Sequence, residues 1–258
     1  MNQHTFISRV ASILSDNNAP RMAYAERSGS GIDEGRIALA PTGFNRVFKR
    51  KARRKYADYK VTLLVDNSGS MHGEKMDYAA KVVHALWYAL KTAGVTPAVY
   101  GFNILFYKIA TEYLESISRL YSFMSSRCDS SKGVLNSHPA GEGNHDGHAV
   151  RLATDALLAD NHEGGKVLLV FSDGSPSCVG YGCGNPGCFR HDDAYNLRSD
   201  LVKAIKDARK RGVTCLSVGM CTDAPTQYYG ASQSVCVDDL GALYTQTAAL
   251  LERNLVRG

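Results

Sequence analysis

Apolar residues fall in two rhythms along this chain. Val61-Thr62-Leu63-Leu64-Val65 and Val167-Leu168-Leu169-Val170-Phe171 are short runs with almost no polar interruption. Such runs fit strands covered on both faces. Between and after them the spacing turns helical. Met76, Ala79, Ala80, Val83, Leu86 and Leu90 form one stripe over 74–93. Helices are also expected at about 112–124, 147–159, 195–211 and 239–254, and strands at 97–102, 104–109, 213–218 and 234–237. Near the start, Phe6, Val10, Ile13 and Leu14 predict a short amphipathic helix over 5–15. Residues 16–45, rich in Gly, Ser, Asn and Pro, predict an irregular extension.

Strands alternating with helices imply an α/β fold: a doubly wound, mostly parallel central sheet with helices on both faces, preceded by an irregular basic extension. The expected division is 1–59 for the helix and lead-in and 60–258 for the domain. In such folds ligands bind beyond the carboxyl ends of the strands, where strand order reverses. Both apolar strands run directly into an aspartate there, Asp66 after Val65 and Asp173 after Ser172.

Asp66-Asn67-Ser68-Gly69-Ser70 follows the first of these strands. One carboxylate and two hydroxyls at alternate positions are hard oxygen donors that suit Mg²⁺. Gly69 is expected to let the loop turn between the serines. The plain alternative is a Ser/Asp-rich turn capping the next helix. Two features favour the metal: Asp173-Gly174 at the end of the second strand, and Asn144-His145-Asp146-Gly147 opening a helix on the same rim. His145 and His148 flank Asp146 and would tune the site, bind a partner or simply be solvated.

Composition narrows the setting. Over 258 residues, 44% hydrophobic and 21% charged describes a globular chain, with no apolar run near the roughly 18 residues of a membrane span. The first residues lack a basic segment leading into an apolar one, so no secretion signal is expected. The seven cysteines are read as reduced thiols in a cytoplasm, with Cys215, Cys221 and Cys236 partly buried. Cys178, Cys183, Cys188 and His191 lie close enough in sequence to bind zinc, although their gaps exceed the usual two residues; a Gly/Pro-rich rim loop is the other reading.

The net charge of +5 belongs to one segment: residues 46–60 hold eight Lys/Arg and one Asp, leaving 22 basic against 24 acidic residues elsewhere. That segment would grip nucleic-acid phosphates, dock an acidic protein surface or remain solvated. No G-x-x-x-x-G-K-[ST] loop and no G-x-S-x-G elbow occurs, so neither nucleotide hydrolysis nor acyl transfer is expected of this chain.

VTLLVDNSGSM and VLLVFSDGSP resemble the metal-ion-dependent adhesion site of von Willebrand factor A domains. The pairing of DNSGSM with N-x-D-G-x-A, and the upstream GIDEGRIALAPTGFNRVFKRK, resemble the C-terminal domain of the aerobic cobaltochelatase T subunit. The likeness covers about residues 29–258. It implies Mg²⁺ ligation by Asp66, Ser68, Ser70, Asp173 and Asp146, with Asn67 and Asn144 behind them. The wider family usually carries Thr where Asp146 stands.

The resemblance also implies a non-catalytic adaptor coupling an AAA+ ATPase to a large metal-inserting subunit in cobalamin biosynthesis. Two other functions stay open: an assembly factor working with a MoxR-type AAA+ ATPase without a tetrapyrrole, and a basic nucleic-acid-associated module. The T subunit's helical N-terminal region and acidic linker have no counterpart in these 258 residues. Three carboxylates around one divalent ion leave a charge of about −1. The ion's expected task is therefore to order three loops, with capture of a partner's carboxylate secondary.

Overall fold

The structure is a computed structural model that describes residues 1–16, 22–29, 31–51, 59–103, 105–128, 143–159, 162–174, 176–178 and 193–255. It packs as two compact units, residues 1–13 with 58–258 and residues 14–57.

Helix α1 (Gln3–Asp16) is the expected amphipathic helix. Its Phe6 is fully buried and meets the Tyr244 ring at 4.9 Å. Chain residues 1–13, and so the helix from Gln3 to Ile13, therefore group with the larger unit.

The smaller unit is more regular than its composition predicts. Strands β1 (Met22–Glu26), β2 (Gly31–Ile32) and β3 (Phe48–Lys51) form an antiparallel sheet in the order β1-β3-β2. A 3-10 turn over Ile37–Thr42 closes at Gly43, whose φ of 86° is the left-handed region that favours glycine. These strands are only two to five residues long, too short for an alternating pattern to emerge. The basic run enters β3; residues 52–58 lie outside the described residues.

In the larger unit the chain runs β4 (Tyr59–Asp66), α2 (Glu74–Thr92), β5 (Ala98–Phe102), β6 (Phe106–Lys108), α3 (Thr111–Leu114), α4 (Ile117–Cys128), β7 (Gly143–Asn144), α5 (Asp146–Leu158), β8 (Gly165–Ser172), β9 (Ser177–Cys178), α6 (Asp193–Lys210), β10 (Val213–Met220), α7 (Ala224–Tyr229), β11 (Ser234–Val237) and α8 (Leu240–Leu255). The central sheet has the order β11-β10-β8-β4-β5-β6. All its strands are parallel except β6, which runs antiparallel to β5.

The order explains the composition. β4 and β8 lie in the middle, and Val61–Asp66 and Val167–Ser172 are buried throughout. Each buried Val, Leu or Phe there contributes about 1.5–3 kcal/mol relative to exposure. One sheet face presents Leu64, Leu168 and Val170 to Ala149, Val150, Ala153 and Leu157 of α5 and to Leu201, Ala204, Ile205 and Ala208 of α6. Small residues at the contact let α5 and α6 approach closely. A Cβ on Gly147 would lie 2.3 Å from Asp200 Oδ2 and 3.0 Å from the Asp200 backbone, so a side chain there would have to push Asp200 aside.

Three expectations change. The helix at 112–124 is two, because the chain turns at Glu115-Ser116 and restarts at Ile117. The second short strand covers Phe106–Lys108 rather than 104–109. Helix α7 was not foreseen, although Asp223 at its start, Pro225 in its first turn and Gly230 after it are the usual punctuation. Among the described residues no helix is long and apolar enough to cross a membrane.

Candidate metal centre

The chain starts in β4, moves outward through β5 and β6, then returns to β8 on the other side of β4. The reversal of strand order therefore falls between β4 and β8, whose carboxyl ends carry Asp66 and Asp173. Side chains alternate along a strand, which divides the site in two. Leu64 and Asp66 share one face of β4, and Leu168, Val170 and Ser172 share the same face of β8. Asp173 follows Ser172 and turns the other way, toward α2.

On the α5 side, Asp66 is fully buried and accepts three hydrogen bonds. Ser68 N–H donates to Oδ1 at 2.8 Å; Asn144 Nδ2 and Ser172 Oγ donate to Oδ2 at 2.8 and 2.9 Å. None of these donors is charged. Burial, assisted by the negative charge of Asp173, pushes the Asp66 carboxyl up to about 6 against the pull of the Ser68 and Ser172 bonds. Asp146, the first residue of α5, is also buried, and its Oδ1 has no hydrogen-bond partner. Burial first, then the charges of Asp66 and Asp173, raise its carboxyl well above the usual range, while a bond from Asn144 opposes them.

On the α2 side, Ser70 Oγ donates to Asp173 Oδ1 at 2.8 Å and lies 3.0 Å from Ser68 Oγ. The other oxygen, Oδ2, takes the Lys75 ammonium at 2.5 Å. The Asp173 side chain is 3% exposed and that of Lys75 is 33% exposed.

Loop anchors complete the frame. Asn67 Nδ2 donates to Met124 O of α4 at 3.1 Å, and Asn67 N–H donates to Phe102 O of β5 at 2.6 Å. Asn67 thus ties the serine loop to two neighbouring elements. β7 pairs with β9, Gly143 with Cys178 and Asn144 with Ser177, so a two-residue bridge holds Asn144 over the mouth of the site. The loop turns tightly at Gly69, which opens a 3-10 turn over Gly69–Met71, but its φ is ordinary and a Cβ there would meet only Cys128 O at 3.9 Å, so the turn does not itself require glycine. The residue that needs to be glycine is Gly73, with φ 86°, where the loop enters α2.

The residues singled out from the sequence therefore converge: Asp66, Ser68, Ser70, Asp146 and Asp173, backed by Asn67 and Asn144. Ser172 and Lys75 were missed. His145 is buried beside Asp146 and His148 is exposed. Burial and the neighbouring His148 lower the His145 pKa, opposed by Asp200. Among the described residues no group of three or more His, Cys, Asp or Glu side chains is placed to hold a metal ion. An ion between Asp66 and Asp173 would therefore have to draw on the Ser68 and Ser70 hydroxyls as well. The donor set fits a hard divalent cation: anionic and hydroxyl oxygens, with one buried carboxylate oxygen of Asp146 left unpartnered.

Of the zinc candidates, Cys178 ends β9, while Cys183, Cys188 and His191 lie outside the described residues. Cys215 is buried and Cys236 partly buried, but Cys221 is exposed. The chain leaves β10 at Met220 and turns through Cys221 with φ 57°, so the thiol faces outward rather than into the core.

The family described as "Cobalamin biosynthesis protein CobT VWA domain" matches residues 47–130 and 123–252. YojO, an uncharacterised protein of Bacillus subtilis (strain 168), is 32% identical over 175 residues, 66% of this chain and 25% of YojO. Among solved structures, the pilus adhesin SpaC from Lactobacillus rhamnosus GG aligns over 78% of this chain and 31% of its own, with TM-score 0.52 and 15% identity. The minor pilin PilB from Streptococcus sanguinis aligns over 83% of this chain and 67% of its own, with TM-score 0.52 and 13% identity. At those identities the likeness is one of fold. The chain spans about a quarter of YojO and about a third of SpaC.

Proposed function

The chain belongs to the family of the CobT VWA domain of cobalamin biosynthesis, and from that premise we propose that it is a cytoplasmic, non-catalytic subunit whose metal centre couples an AAA+ ATPase to a metal-inserting complex. The observation that carries this reading is the convergence of Asp66, Ser68, Ser70 and Asp173 at the strand-order reversal, beside the unpartnered Asp146 Oδ1. Asp66, Ser68, Ser70 and Asp173 would hold one Mg²⁺, Asp146 would add its charge from beside Asp66, and Asn67 and Asn144 would fix their orientation. When bound, the ion supplies a Lewis-acidic centre that orders oxygen ligands from three loops.

The chain's own residues supply positioning. Asn67 holds the serine loop on α4 and β5. Asn144 holds the Asp66 carboxylate from the α5 loop. Ser172 holds the same carboxylate from β8. A non-catalytic role is supported by the lack of a phosphate-cradling loop in the sequence and by Ser68 Oγ, which meets Ser70 Oγ.

The test is co-purification. Tagged chain in Mg²⁺ should retain an AAA+ ATPase and a large chelatase subunit from its native cells, and Asp66→Ala should retain neither. An ATPase retained alone would favour the assembly-factor reading. Equal recovery with Asp66→Ala would remove the metal from the function. A zinc-dependent or nucleic-acid-dependent association would point instead to the cysteine loop or to residues 46–60.

A further inference from the structure

Lys75 stands where helix electrostatics disfavour it. It is the second residue of α2, and its first-turn companions are Glu74 and Asp77, the charge that suits a helix N-terminus. Its ammonium turns back onto Asp173 Oδ2 at 2.5 Å, beside the Ser70 hydroxyl on the other oxygen of the same carboxylate. The partners differ in access: Asp173 is nearly sealed, whereas a third of Lys75 reaches solvent. An ammonium on a flexible stem can leave; a carboxylate fixed at the end of β8 cannot.

We propose that Lys75 is a tethered cation that competes with the divalent ion for Asp173, so that loading the site turns the ammonium out to the rim. The proposal rests on the metal reading of this site and adds its regulation. It also revises the charge reckoning. Three carboxylates and a divalent ion leave about −1; with the Lys75 ammonium on the rim the loaded site is neutral. Without the ion, Lys75 partly neutralises the cluster through Asp173. The cation therefore weakens metal binding, protects the empty site from self-repulsion, and makes the loaded rim more hospitable to an anionic group than the carboxylates alone would allow.

Calorimetric titration with Mg²⁺ tests this on the full chain and on Lys75→Met, Lys75→Arg and Asp66→Ala. Removing a positive charge a few ångströms from a divalent ion should tighten binding about tenfold or more in Lys75→Met. Lys75→Arg should stay near the unsubstituted chain. In parallel, brief acetylation with an N-hydroxysuccinimide ester, mapped by mass spectrometry, reads where the ammonium is. Labelling of Lys75 should rise several-fold on Mg²⁺ saturation relative to chelated protein. Lys81, paired with Asp77 on the same helix, provides the reference.

Unchanged or weaker Mg²⁺ binding by Lys75→Met, with normal binding by the unsubstituted chain and loss in Asp66→Ala, would overturn the competition and leave the metal reading standing. No change in Lys75 labelling on saturation would do the same. Absence of Mg²⁺ binding in every variant would overturn both.

Discussion

Two aspartates end adjacent central strands, and the molecule treats their charges differently. On the α5 side, Asp66 is held by an amide, a carboxamide and a hydroxyl, and Asp146 beside it keeps one oxygen unpartnered. On the α2 side, Asp173 has an ammonium. Hydrogen bonds from neutral donors orient a buried carboxylate but leave its charge in place, and an uncompensated buried charge is costly. Among the described residues the α5 half holds this buried negative charge without a cationic partner. The α2 half already has one, on a stem that can swing away. The contrast locates the demand for the proposed ion at Asp66 and Asp146, and its competitor at Asp173.

Asp66→Ala removes the charge-starved carboxylate itself. Second-layer partners of metal ligands are worth roughly tenfold to a hundredfold in affinity, so losing the central ligand should weaken Mg²⁺ binding by at least about a hundredfold. The fold should survive, because Asp66 sits at a strand end. Its deletion also relieves carboxylate repulsion without the ion. Calorimetry showing unchanged affinity would mean that the ion is not held at Asp66.

The next effect is on stability against pH. A carboxyl raised to about 6 in the folded chain and near 3.9 when unfolded binds its proton more tightly when folded. Its contribution is fully present below about pH 4 and is lost as pH rises through about 6, a span of about 2–3 kcal/mol at most. Chelated protein should therefore melt at a higher temperature at pH 5 than at pH 7. Saturating Mg²⁺ should reduce the difference by stabilising the ionised carboxylates. Identical midpoints at pH 5 and pH 7 in chelator would show that Asp66 is not the charge-starved residue described.

Within the α5 half, Asp146 can be separated from Asp66. Asp146→Thr installs the residue usual in the wider family and removes one buried carboxylate. Mg²⁺ affinity should fall about tenfold, within the range expected for a charge a few ångströms from the ion. The chelated protein should become more stable. Affinity unchanged in a calorimetric titration would place Asp146 away from the ion and leave Asp66 alone on that side.

What the sequence made legible follows from which physical constraints are local. β4 and β8 were placed within two residues at either end, because an unbroken apolar run of that length fits little other than a strand covered on both sides. Asp66 and Asp173 were legible for the same reason, as the polar ends of those runs. Ser172 and Lys75 were not. Ser172 matters because β-strand alternation puts it on the Asp66 face, and the pairing of Val65 with Phe171 brings it alongside. Lys75 matters because a long side chain folds back across the loop that precedes its helix. Both depend on contacts between segments about a hundred residues apart. The antiparallel sheet in residues 14–57 was hidden by strands too short to show a period. The exposure of Cys221 was hidden because a strand's end leaves no mark in composition.

The alternation at the end of β8 has a mechanical consequence. Ser172 reaches into the layer of α5 while Asp173, its immediate neighbour, reaches into the layer of α2. Anything bound to Asp66 and Asp173 together would act as a rivet through the sheet, fastening one helical layer to the other at the sheet's carboxyl edge. A pull applied to one layer would then reach the other through oxygen–metal bonds, in addition to side-chain packing. For a subunit proposed to sit between a motor and its load, occupancy of one small site would set how stiffly force passes through the domain. Force spectroscopy across α2 and α5, with and without Mg²⁺, would read that stiffness directly.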